Sequence, residues 1–424
     1  MTRAPGPKGT LIWGSLGAVQ KDALGFLTQA AASHGDVVRL RFGPVIAHLL
    51  NHPDHIEHVL SRGAQGYDKD TRSVAQIKAT CGASLLSSDG AAWQRHRRLI
   101  QPVFQPRFLD TIDPVVDTAI DAMLDRWAIA ARNATPIDIV AEMMQLMIVI
   151  SVRFLFSSEV DPDRIDRALK VLLADTWRRL EALFDPSMIS PRLHRPAFKQ
   201  ALAEIDAVVF ALIRARRQSG TQPDDLLSRL LSAHEGEGLD RLTDTELRDA
   251  AVTLILAGHE TVANALAWAI VLLAQNPEWR RHDPHKVWSE TLRLFPSIWI
   301  MERRAVTLDE IGGYRIAKGS TVLMSPYVLH RNPQFWPNAD RFDPTRFDET
   351  TVATRPRHAY LPFGLGPHRC IGLHLGNRVA ERILTQVQAA FRLDLAPGQS
   401  LGLAPGITLR HADAIYMYPR EAAI

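Results

Sequence analysis

One segment constrains the fold more than any other. Residues 243–275 contain no proline and carry the longest helical pattern of the chain. The segment opens with Thr243-Asp-Thr-Glu246, a capping box that marks a helix N-terminus, and Asn276-Pro277 follows its end. At 1.5 Å per residue, such a helix is roughly 50 Å long, enough to cross a whole domain. Residues 250–274 are apolar on nearly every face, which predicts that this central helix is buried.

The rest of the chain predicts a mainly α (α+β) architecture. Composition does not shift abruptly and no internal repeat is present, so we expect one continuous domain, residues 1–424. The local patterns predict strands at 37–42 and 45–50, an irregular loop from Tyr67 to Gly90, mostly helix from 91 to about 233, a helix ahead of Pro296, short strands between 300 and 327 with turns at Gly312-Gly313 and Lys318-Gly319, and a last helix that begins next to Cys370 and continues to about Leu393.

Composition excludes several classes of protein. The chain has 49 Lys and Arg against 46 Asp and Glu, and no concentrated basic stripe, so we expect no nucleic-acid partner. Its 2 cysteines exclude a disulfide framework or a multi-cysteine zinc site and favour a reducing cytoplasm. The apolar run near the N-terminus is short and interrupted by Gly14 and Gly17, so we expect no membrane anchor.

The most informative local sequence is Phe363-Gly364-Leu365-Gly366-Pro367-His368-Arg369-Cys370-Ile371-Gly372. It places a cysteine at the start of a helix, where backbone N–H groups and the helix dipole stabilise a thiolate. Gly366 would let the turn pass close to a flat cofactor, and Gly372 would let the helix approach it. Arg369 excludes a G-x-G-x-x-G dinucleotide motif. The other cysteine, Cys81, is expected to be a buried apolar residue.

This decapeptide resembles the haem-binding loop of the cytochrome P450 superfamily, the haem-thiolate monooxygenases. Further segments resemble motifs of that family in the same order along the chain: Trp93-Gln94-Arg95-His96-Arg97, Ala257-Gly258-His259-Glu260-Thr261, Glu290-Thr291-Leu292-Arg293 and Phe342-Asp343-Pro344-Thr345-Arg346-Phe347. The resemblance implies a cytochrome P450 fold, a helical domain with small β-sheets and with haem b (iron protoporphyrin IX) between the central helix and the C-terminal cysteine loop and helix. Cys370 would be the axial ligand of the haem iron, because a thiolate donates electron density that favours O–O cleavage.

The resemblance also implies roles for the central helix. Gly258 removes a side chain where dioxygen must fit. Thr261 lies four residues after Ala257, so its hydroxyl can bond back to the Ala257 carbonyl. Glu260 would relay protons from solvent, and Thr261 would position the proton for the distal oxygen. Without the cysteine loop, this Glu-Thr pair could equally be a satisfied polar pair in a buried helix.

The remaining site residues are assigned by the same resemblance. The haem propionates would be held by Trp93, Arg97, His368 and Arg303, although the adjoining Arg304 could point inward instead. Glu290, Arg293 and Arg346 would form a structural triad that fixes the coil leading to Cys370. The cofactor-binding set expected from the resemblance is Cys370, Trp93, Arg97, Arg303, His368, Phe363, Gly364, Gly366, Gly372 and Ala257.

The expected activity is that of a soluble, bacterial-type monooxygenase of secondary metabolism, which inserts one atom of O2 into a terpenoid, a steroid or a fatty-acid-like molecule. Electrons would come from a separate ferredoxin or flavodoxin with an NAD(P)H-dependent reductase, and the protein is expected to be a monomer. Alternatives are a peroxide-using enzyme, a non-oxidative isomerase or dehydratase, and a haem carrier or sensor; Glu260 and Thr261 argue against the first two.

The sequence leaves the interpretation of two features undecided. The first is a set of arginines that form either an ordinary solvated face or a docking patch for an acidic electron carrier: Arg95, Arg98, Arg369, Arg378 and Arg382. The second is the spacing from Thr261 to Glu290, 290 − 261 = 29 positions, which is short for the family and reflects either a genuinely shortened connection or a missing mobile segment. The substrate pocket is expected to be formed by 73–86, 297–301 and 405–408, by Leu254 with the central-helix motif, and by Trp177, Leu180 and Phe184.

Overall fold

The structure is a computed structural model and describes residues 2–182, 185–188, 190, 193–235 and 241–422. Its contacts divide the chain into two compact units. Unit 1 comprises Met1–Val74, Ser289–Cys370 and Ile407–Leu409. Unit 2 comprises Ala75–Trp288, Ile371–Gly406 and Arg410–Ile424. Helices dominate and the sheets are small, in agreement with the predicted mainly α (α+β) class.

The helices and strands have the following bounds. The α-helices are α1 Leu16–Lys21, α2 Ala23–His34, α3 Pro53–Glu57, α4 Arg72–Cys81, α5 Gly90–Ile100, α6 Pro106–Leu109, α7 Asp113–Arg132, α8 Ile139–Phe156, α9 Pro162–Glu181, α10 Pro196–Ser219, α11 Leu226–Glu235, α12 Asp244–Gln275, α13 Pro284–Leu294, α14 Pro326–Leu329, α15 Glu349–Thr354 and α16 Leu373–Ala390. The strands are β1 Val37–Phe42, β2 Val45–Leu50, β3 Tyr67–Asp68, β4 Ile137–Asp138, β5 Met301–Ala305, β6 Asp309–Ile311, β7 Tyr314–Ile316, β8 Thr321–Met324, β9 Phe391–Leu395, β10 Leu403–Pro405, β11 Leu409–His411 and β12 Tyr416–Glu421.

Unit 1 is built on a mixed five-stranded sheet of order β1-β2-β8-β5-β3. The predicted strands 37–42 and 45–50 form its antiparallel hairpin, with Val37 opposite Leu50, and β8 pairs with β2 in parallel. The turn at Gly312-Gly313 joins β6 to β7, as the sequence predicts. Apolar residues of this sheet pack with Trp336 and Leu361 into one core, which supports the segment that leads to Cys370.

Unit 2 is organised around α12, the predicted central helix. The Thr243 hydroxyl accepts a hydrogen bond from the Glu246 N–H, and the Glu246 carboxylate accepts one from the Thr243 N–H at 2.9 Å, so the capping box is present. The helix packs on α8, α10 and α16. Its predicted burial is confirmed, because most residues from Ala250 to Leu273 are buried.

The connection from α12 to α13 is short, as the spacing of Thr261 and Glu290 indicates. A single helical turn, Pro277–Trp279, lies between the two helices. The Trp279 N–H donates to the Asn276 carbonyl at 3.1 Å, and the His282 N–H donates to the Trp279 carbonyl at 3.0 Å. The chain therefore passes from one helix to the next through local backbone hydrogen bonds.

Two of the predicted boundaries are wrong. Residues 72–81 of the expected loop form α4, and the Thr71 hydroxyl accepts from the Val74 N–H at 3.4 Å near its start. The last helix ends at Ala390 and not near Leu393. Phe391, Leu393 and Leu395 alternate with polar residues, and this two-residue period suits a strand, β9, which pairs with β12.

Among the described residues, two helices are long and apolar enough to cross a membrane. In α8 and α12, 67% and 78% of the qualifying stretch is buried inside the protein. This burial is typical of the core helices of a globular protein.

Candidate haem-binding and catalytic site

The loop before Cys370 is closed by its own backbone. The Cys370 N–H donates to the Phe363 carbonyl at 3.0 Å, the Arg369 N–H to the Gly366 carbonyl at 3.1 Å, and the Gly364 N–H to the Leu361 carbonyl at 3.2 Å. Cys370 is nonetheless exposed. The loop thus fixes the cysteine in place and leaves it accessible to a metal that its sulfur could ligate.

The second cysteine has the opposite environment. Cys81 is fully buried, and burial raises the pKa of its thiol to about 12. A thiol of this kind stays protonated and is inert as a metal ligand. Of the 2 cysteines, only Cys370 therefore has the chemistry that a thiolate ligand requires.

A close backbone contact, which the sequence does not reveal, requires glycine at position 366. Its φ is +71°, and a Cβ there would lie 1.8 Å from the carbonyl oxygen of Leu60. No other residue type fits such a position. The structure thus gives a reason within the chain itself for this glycine, whereas the sequence suggested the approach of a cofactor.

Glu290 anchors the coil that leads to the loop. It is fully buried, and its carboxylate accepts from Arg293 Nε and Nη2 at 2.7 and 2.8 Å and from the Asp343 N–H at 2.9 Å. Arg346 completes the predicted triad, with its Nε 3.3 Å from Glu290 Oε1. Burial raises the pKa of the Glu290 carboxyl, and the hydrogen bonds from Arg293 oppose that shift.

The guanidinium of Arg293 links this carboxylate to the coil. It donates to the carbonyl oxygens of His330, Ala339 and Arg341 at 2.9, 2.6 and 3.1 Å. Since backbone carbonyls of a buried coil need donors, Arg293 satisfies three of them at once. These contacts are those that a structural role for the triad requires.

His330 supports the same coil, and no motif pointed to it. It is fully buried, and its Nε2 accepts from the Leu361 N–H at 2.9 Å while its Nδ1 lies 3.2 Å from the Arg293 carbonyl oxygen. These partners assign the proton to Nδ1. Burial lowers the pKa of His330 well below its usual value, so the ring is neutral. In the sequence, the one signal that could have predicted a neutral, buried His330 is that no acidic residue lies close to it along the chain.

In unit 2, the middle of α12 exposes one narrow stripe. Between Ala250 and Leu273, every residue is buried except Ala257, Gly258, Thr261 and Val262. These positions, i, i+1, i+4 and i+5, lie on one face of the helix. A small, mostly apolar stripe on an otherwise buried helix fits a flat apolar group such as the haem that the resemblance implies.

The polar residues beside this stripe have defined environments. The Thr261 hydroxyl donates to the Ala257 carbonyl at 3.0 Å, as their spacing predicts. Glu260 is 5% exposed and lies on the flank of the helix. A Cβ at Gly258 would lie 3.0 Å from Ser151 Oγ, so close packing against α8 is a further reason for this glycine.

Trp93 and Arg97 lie one turn apart on α5, beside a surface concavity of about 370 Å³ that both help to line. Arg97 Nε donates to Gln101 Oε1 at 3.1 Å. An indole N–H and a guanidinium on one helix face suit a carboxylate group. These two residues therefore have donors of the kind that a haem propionate needs.

In unit 1, the structure separates the roles of two adjacent arginines. Arg304 Nη2 lies 2.7 Å from Asp68 Oδ2, and its Nη1 lies 2.5 Å from Asp70 Oδ2, so Arg304 is committed to ion pairs. Arg303 donates from Nη1 to the Glu302 carbonyl at 2.8 Å. Arg303 thus stays the candidate of the two for a propionate contact.

Several arginines of the suggested docking patch are held by acidic partners within unit 2. Arg378 contacts Asp113 through two hydrogen bonds of 2.8 and 2.9 Å, and Arg382 contacts Asp117 in the same way. Arg95 pairs with Glu246. These pairs neutralise part of the positive charge on which an electrostatic docking patch would depend.

The predicted site residues divide between the units as follows. Unit 1 contains Cys370, Phe363, Gly364, Gly366, His368, Arg303 and the triad, and unit 2 contains Trp93, Arg97, Ala257, Gly258, Glu260, Thr261 and Gly372. Trp177 and Leu180 of the expected pocket lie in α9, half-buried, and Phe184 lies outside the described residues. The accessible thiol, the small apolar stripe and the propionate donors each fit a haem.

Comparisons with known proteins agree with this chemistry. The sequence model of the family "Cytochrome P450" matches residues 4–282 and 285–406. Cyclooctatin synthase of Streptomyces melanosporofaciens is 33% identical over 96% of this chain and 93% of its own length. Pentalenene oxygenase of Streptomyces avermitilis is 29% identical over 88% of this chain and 87% of its own.

Solved structures show the same fold. The heme domain of cytochrome P450DA superposes with a TM-score of 0.87 at 23% identity, over 100% of this chain and 98% of that one. A second cytochrome P450 crystal structure matches equally well over all of both chains. The predicted fold is thus confirmed, and haem is the cofactor that such a family implies. The chain belongs to the cytochrome P450 family and is an oxidoreductase of its monooxygenase class.

Proposed function

We propose that this protein is a haem-thiolate monooxygenase in which Cys370 ligates the iron of haem b, and that residues 1–424 act as a single cytochrome P450 domain. The observation that carries the proposal is the exposed thiol of Cys370 on a loop closed by backbone hydrogen bonds. A fixed, accessible cysteine ahead of a helix is the arrangement in which a thiolate ligand is stabilised.

The other cofactor contacts follow from the same assignment. Trp93, Arg97, Arg303 and His368 would donate to the propionates. Phe363, Gly364, Gly366 and Gly372 would form the loop around the thiolate ligand, and Ala257 would contact the haem. When bound, the haem supplies the activation of dioxygen, and the protein supplies ligation, orientation and protons.

The exposed stripe of α12 and the neighbouring Glu260 support the proposed proton chemistry. Gly258 would leave room for dioxygen, Thr261 would hold a proton donor beside it, and Glu260 would resupply protons from solvent. Insertion of one oxygen atom leaves the other as water, so each turnover takes up two electrons and two protons. A peroxide-using or non-oxidative enzyme has no need of this supply, which is why Glu260 and Thr261 favour a monooxygenase.

The substrate proposed is an apolar small molecule, and we infer a terpenoid in preference to a steroid or a fatty-acid-like compound. This choice rests on the names of similar proteins, cyclooctatin synthase, cyclooctat-9-en-7-ol 5-monooxygenase and pentalenene oxygenase. A ferredoxin or flavodoxin with an NAD(P)H-dependent reductase would deliver the electrons to a monomeric, cytoplasmic enzyme of secondary metabolism.

The proposal is tested with the purified full chain. We expect a thiolate-type spectrum of the reduced carbonyl complex, a spectral shift on addition of cyclic terpenes, and incorporation of one 18O atom from 18O2 into the product. Product that contains no 18O from dioxygen would contradict the monooxygenase assignment, and a colourless protein after expression with ample iron and haem precursor would contradict the cofactor.

A further inference from the structure

Three consecutive apolar residues project from the surface of unit 1 near the N-terminus. Leu11 is 94% exposed, Ile12 64% and Trp13 47%, and they form the tip of a tight turn between Thr10 and Gly14. Single exposed apolar residues are ordinary, whereas several adjacent ones form a patch of the kind that marks an interaction site. We call residues 10–14 the apolar turn.

Hydrogen bonds across the apolar turn fix its backbone. The Thr10 N–H donates to the Gly14 carbonyl at 2.9 Å, and the Gly14 N–H donates to the Thr10 carbonyl at 3.0 Å. Gly14 has a φ of +61°, and a Cβ there would lie 2.1 Å from the carbonyl oxygen of Arg41, so the turn lies directly against β1. The exposure of the apolar side chains is therefore a property of a defined backbone conformation.

The carbonyl oxygens of the apolar turn find their donors inside the protein. Arg41 Nη1 donates to the Ile12 carbonyl at 2.9 Å. Its Nη2 donates to the Leu11 carbonyl at 2.7 Å and also to that of Thr10. The Trp13 carbonyl accepts from a backbone N–H between β1 and β2 at 3.1 Å. Because lipid offers no hydrogen bonds, a segment that enters a bilayer must satisfy its polar backbone groups internally, and these carbonyls meet that requirement.

The surface around the apolar turn is basic. Residues 1–21 include Arg3, Lys8 and Lys21, which are all exposed, and no Asp or Glu. Arg39 and Arg41 lie two positions apart on β1, so both side chains are on the same face of that strand. Positive charge therefore surrounds the apolar side chains.

These positive charges lie close together and are not neutralised. Burial lowers the pKa of Arg39, and the like charges of Arg3 and Arg41 lower it further. Within the described part of the chain, none of the five basic residues forms an ion pair with an acidic side chain. The next acidic residue along the chain, Asp22, accepts from the Gly25 N–H at 2.9 Å as the cap of α2. An anionic partner would supply the missing negative charge.

The small size of the patch favours a lipid surface over a protein partner. Each partner of a stable protein complex contributes about 20–30 residues, whereas the tip of one turn presents three. A bilayer needs no matching groove, because its headgroup region accepts apolar side chains and favours the indole ring of tryptophan. Anionic lipids at the same time attract neighbouring Lys and Arg side chains.

We propose that the apolar turn binds reversibly to the surface of an anionic lipid bilayer, with Leu11, Ile12 and Trp13 at the boundary between headgroups and acyl chains and the surrounding basic residues on the lipid phosphates. The protein lies on the membrane in this state and does not span it, since the apolar run is too short to do so. The inference goes beyond the proposed function and does not depend on haem, so it can be tested whether or not an oxygenated product is found.

The first test measures binding of the purified, haem-loaded full chain to vesicles. Vesicles of phosphatidylcholine and phosphatidylglycerol in equal parts should bind the protein at least about tenfold more tightly than vesicles of phosphatidylcholine alone, because each basic residue near an anionic surface adds attraction. The affinity should fall as the salt concentration rises. No binding to the anionic vesicles, or equal binding to both kinds, overturns the proposal.

Insertion of the turn is measured with brominated acyl chains in the anionic vesicles. Bromine quenches only those tryptophans that reach the acyl chains, and the contribution of Trp13 is the difference between the wild-type protein and Trp13→Phe. We expect quenching in the wild-type protein that is lost in the variant. Binding without this difference would mean that the apolar turn does not enter the bilayer, and it overturns the proposal.

The second test removes the apolar side chains by combining Leu11→Ser with Ile12→Ser. Binding to the anionic vesicles should weaken by about tenfold or more, because buried CH₂ groups contribute to interfacial binding. Both side chains are exposed, so the melting temperature and the haem spectrum should not change. Ile129→Ser on α7, where the residue is 53% exposed, is the matched control and should bind like the wild-type protein.

Two results of this comparison overturn the proposal. The first is undiminished vesicle binding by the double variant. The second is self-association of the wild-type protein in gel filtration that the double variant loses, without vesicle binding by either, which would assign the apolar turn to contact with a second copy of the chain.

The third test changes the charge. Lys8→Gln combined with Lys21→Gln should lose much of the preference for anionic vesicles, because two of the basic residues beside the apolar turn are removed. Arg214→Gln combined with Lys318→Gln changes the net charge equally at exposed positions outside this set and should keep the preference. An equal loss in both pairs would show that net charge alone attracts the lipid, and it overturns the assignment to this surface.

Discussion

At the scale of single residues, solvent exposure decides which side chains are available to react. Cys370 is accessible on a loop closed by backbone hydrogen bonds, whereas burial raises the pKa of Cys81 to about 12. Thr261 likewise belongs to a partly exposed stripe on a buried helix. At each of these positions the side chain has ordinary chemistry, and its environment decides whether that chemistry is available.

The thiolate assignment predicts the effect of Cys370→Ser. A serine hydroxyl has a much higher pKa than a thiol, so it does not supply the electron-rich sulfur ligand. The reduced carbonyl complex is expected to lose its thiolate-type absorption completely. Cys81→Ala is the matched control and should keep the wild-type spectrum, and an unchanged spectrum in Cys370→Ser would show that another group ligates the iron.

The proton assignment predicts that Thr261→Ala uncouples the reaction. Without the hydroxyl, electron consumption continues while the fraction that reaches product falls by about tenfold or more, because a positioned proton donor is lost. The measurement is product and peroxide formed per NAD(P)H consumed. Thr261→Ser retains the hydroxyl and should couple well, while tight coupling in Thr261→Ala would contradict the proposed role of Thr261 in proton delivery.

Elements of the fold are joined by a few buried polar contacts. The clearest example links Glu290 and Arg293 of α13 to the coil at 330–341 that leads toward the cysteine loop. Removal of one partner from such a pair leaves a buried charge without compensation, which typically costs about 3–5 kcal/mol. We therefore expect the triad to stabilise the loop indirectly and to have no part in substrate binding.

Glu290→Ala should consequently give little folded, haem-loaded protein. We expect a fall of about 3–5 kcal/mol in the free energy of unfolding, because Arg293 stays buried without its carboxylate. Denaturant unfolding and the ratio of haem to protein measure the effect. The exposed Glu278, 290 − 278 = 12 positions earlier, provides the control: Glu278→Ala should load haem normally, and equal stability of the two variants would disprove the role of the triad.

The central helix depends on its cap as well as on its burial. Thr243→Ala removes the hydroxyl that accepts from the Glu246 N–H, which should lower the free energy of unfolding by about 1 kcal/mol. Thr243→Ser keeps the hydroxyl and should stay within a few tenths of the wild-type value. Denaturant midpoints of the two variants give the comparison, and a neutral alanine variant would mean that packing alone fixes the start of α12.

At the scale of the whole molecule, several histidines stay neutral at acidic pH because they are buried. Burial lowers the pKa of His48, His259 and His411 to about 4, compared with 6.5 for an accessible histidine. The unfolded chain therefore binds more protons than the folded one between these values. His285 acts in the opposite direction, because Glu381 raises its pKa, but this pair is largely exposed and contributes little.

Stability should accordingly decrease as the pH falls below about 6.5. Each of the three buried histidines removes about 3 kcal/mol by pH 4, so we expect acid unfolding between these two pH values. Circular dichroism at fixed temperature across this range measures the midpoint. His48→Gln should shift the midpoint to lower pH relative to its own stability at pH 7.5, and an unshifted midpoint would show that this histidine does not contribute.

The sequence predicts some features well because they depend on neighbours along the chain. The capping box fixed the start of α12 to within one residue, and the strands 37–42 and 45–50 were predicted with correct bounds. Their signals are side-chain period and cap chemistry, which are local. The end of α16 was misplaced because the change from helix to strand at Phe391 depends on pairing with β12, which is distant in sequence.

By itself, the sequence determined the central helix, the family and the residue types of the candidate site. The tertiary structure decided which side chains are accessible, which arginines are committed to acidic partners, and why Gly366 must be a glycine. It also brought His411 to Asn264 across 147 positions of chain, a contact that no motif signals. The reason is physical: periodicity and capping act over a few residues, whereas burial and hydrogen-bond partners are set by whichever segments the folded chain packs together.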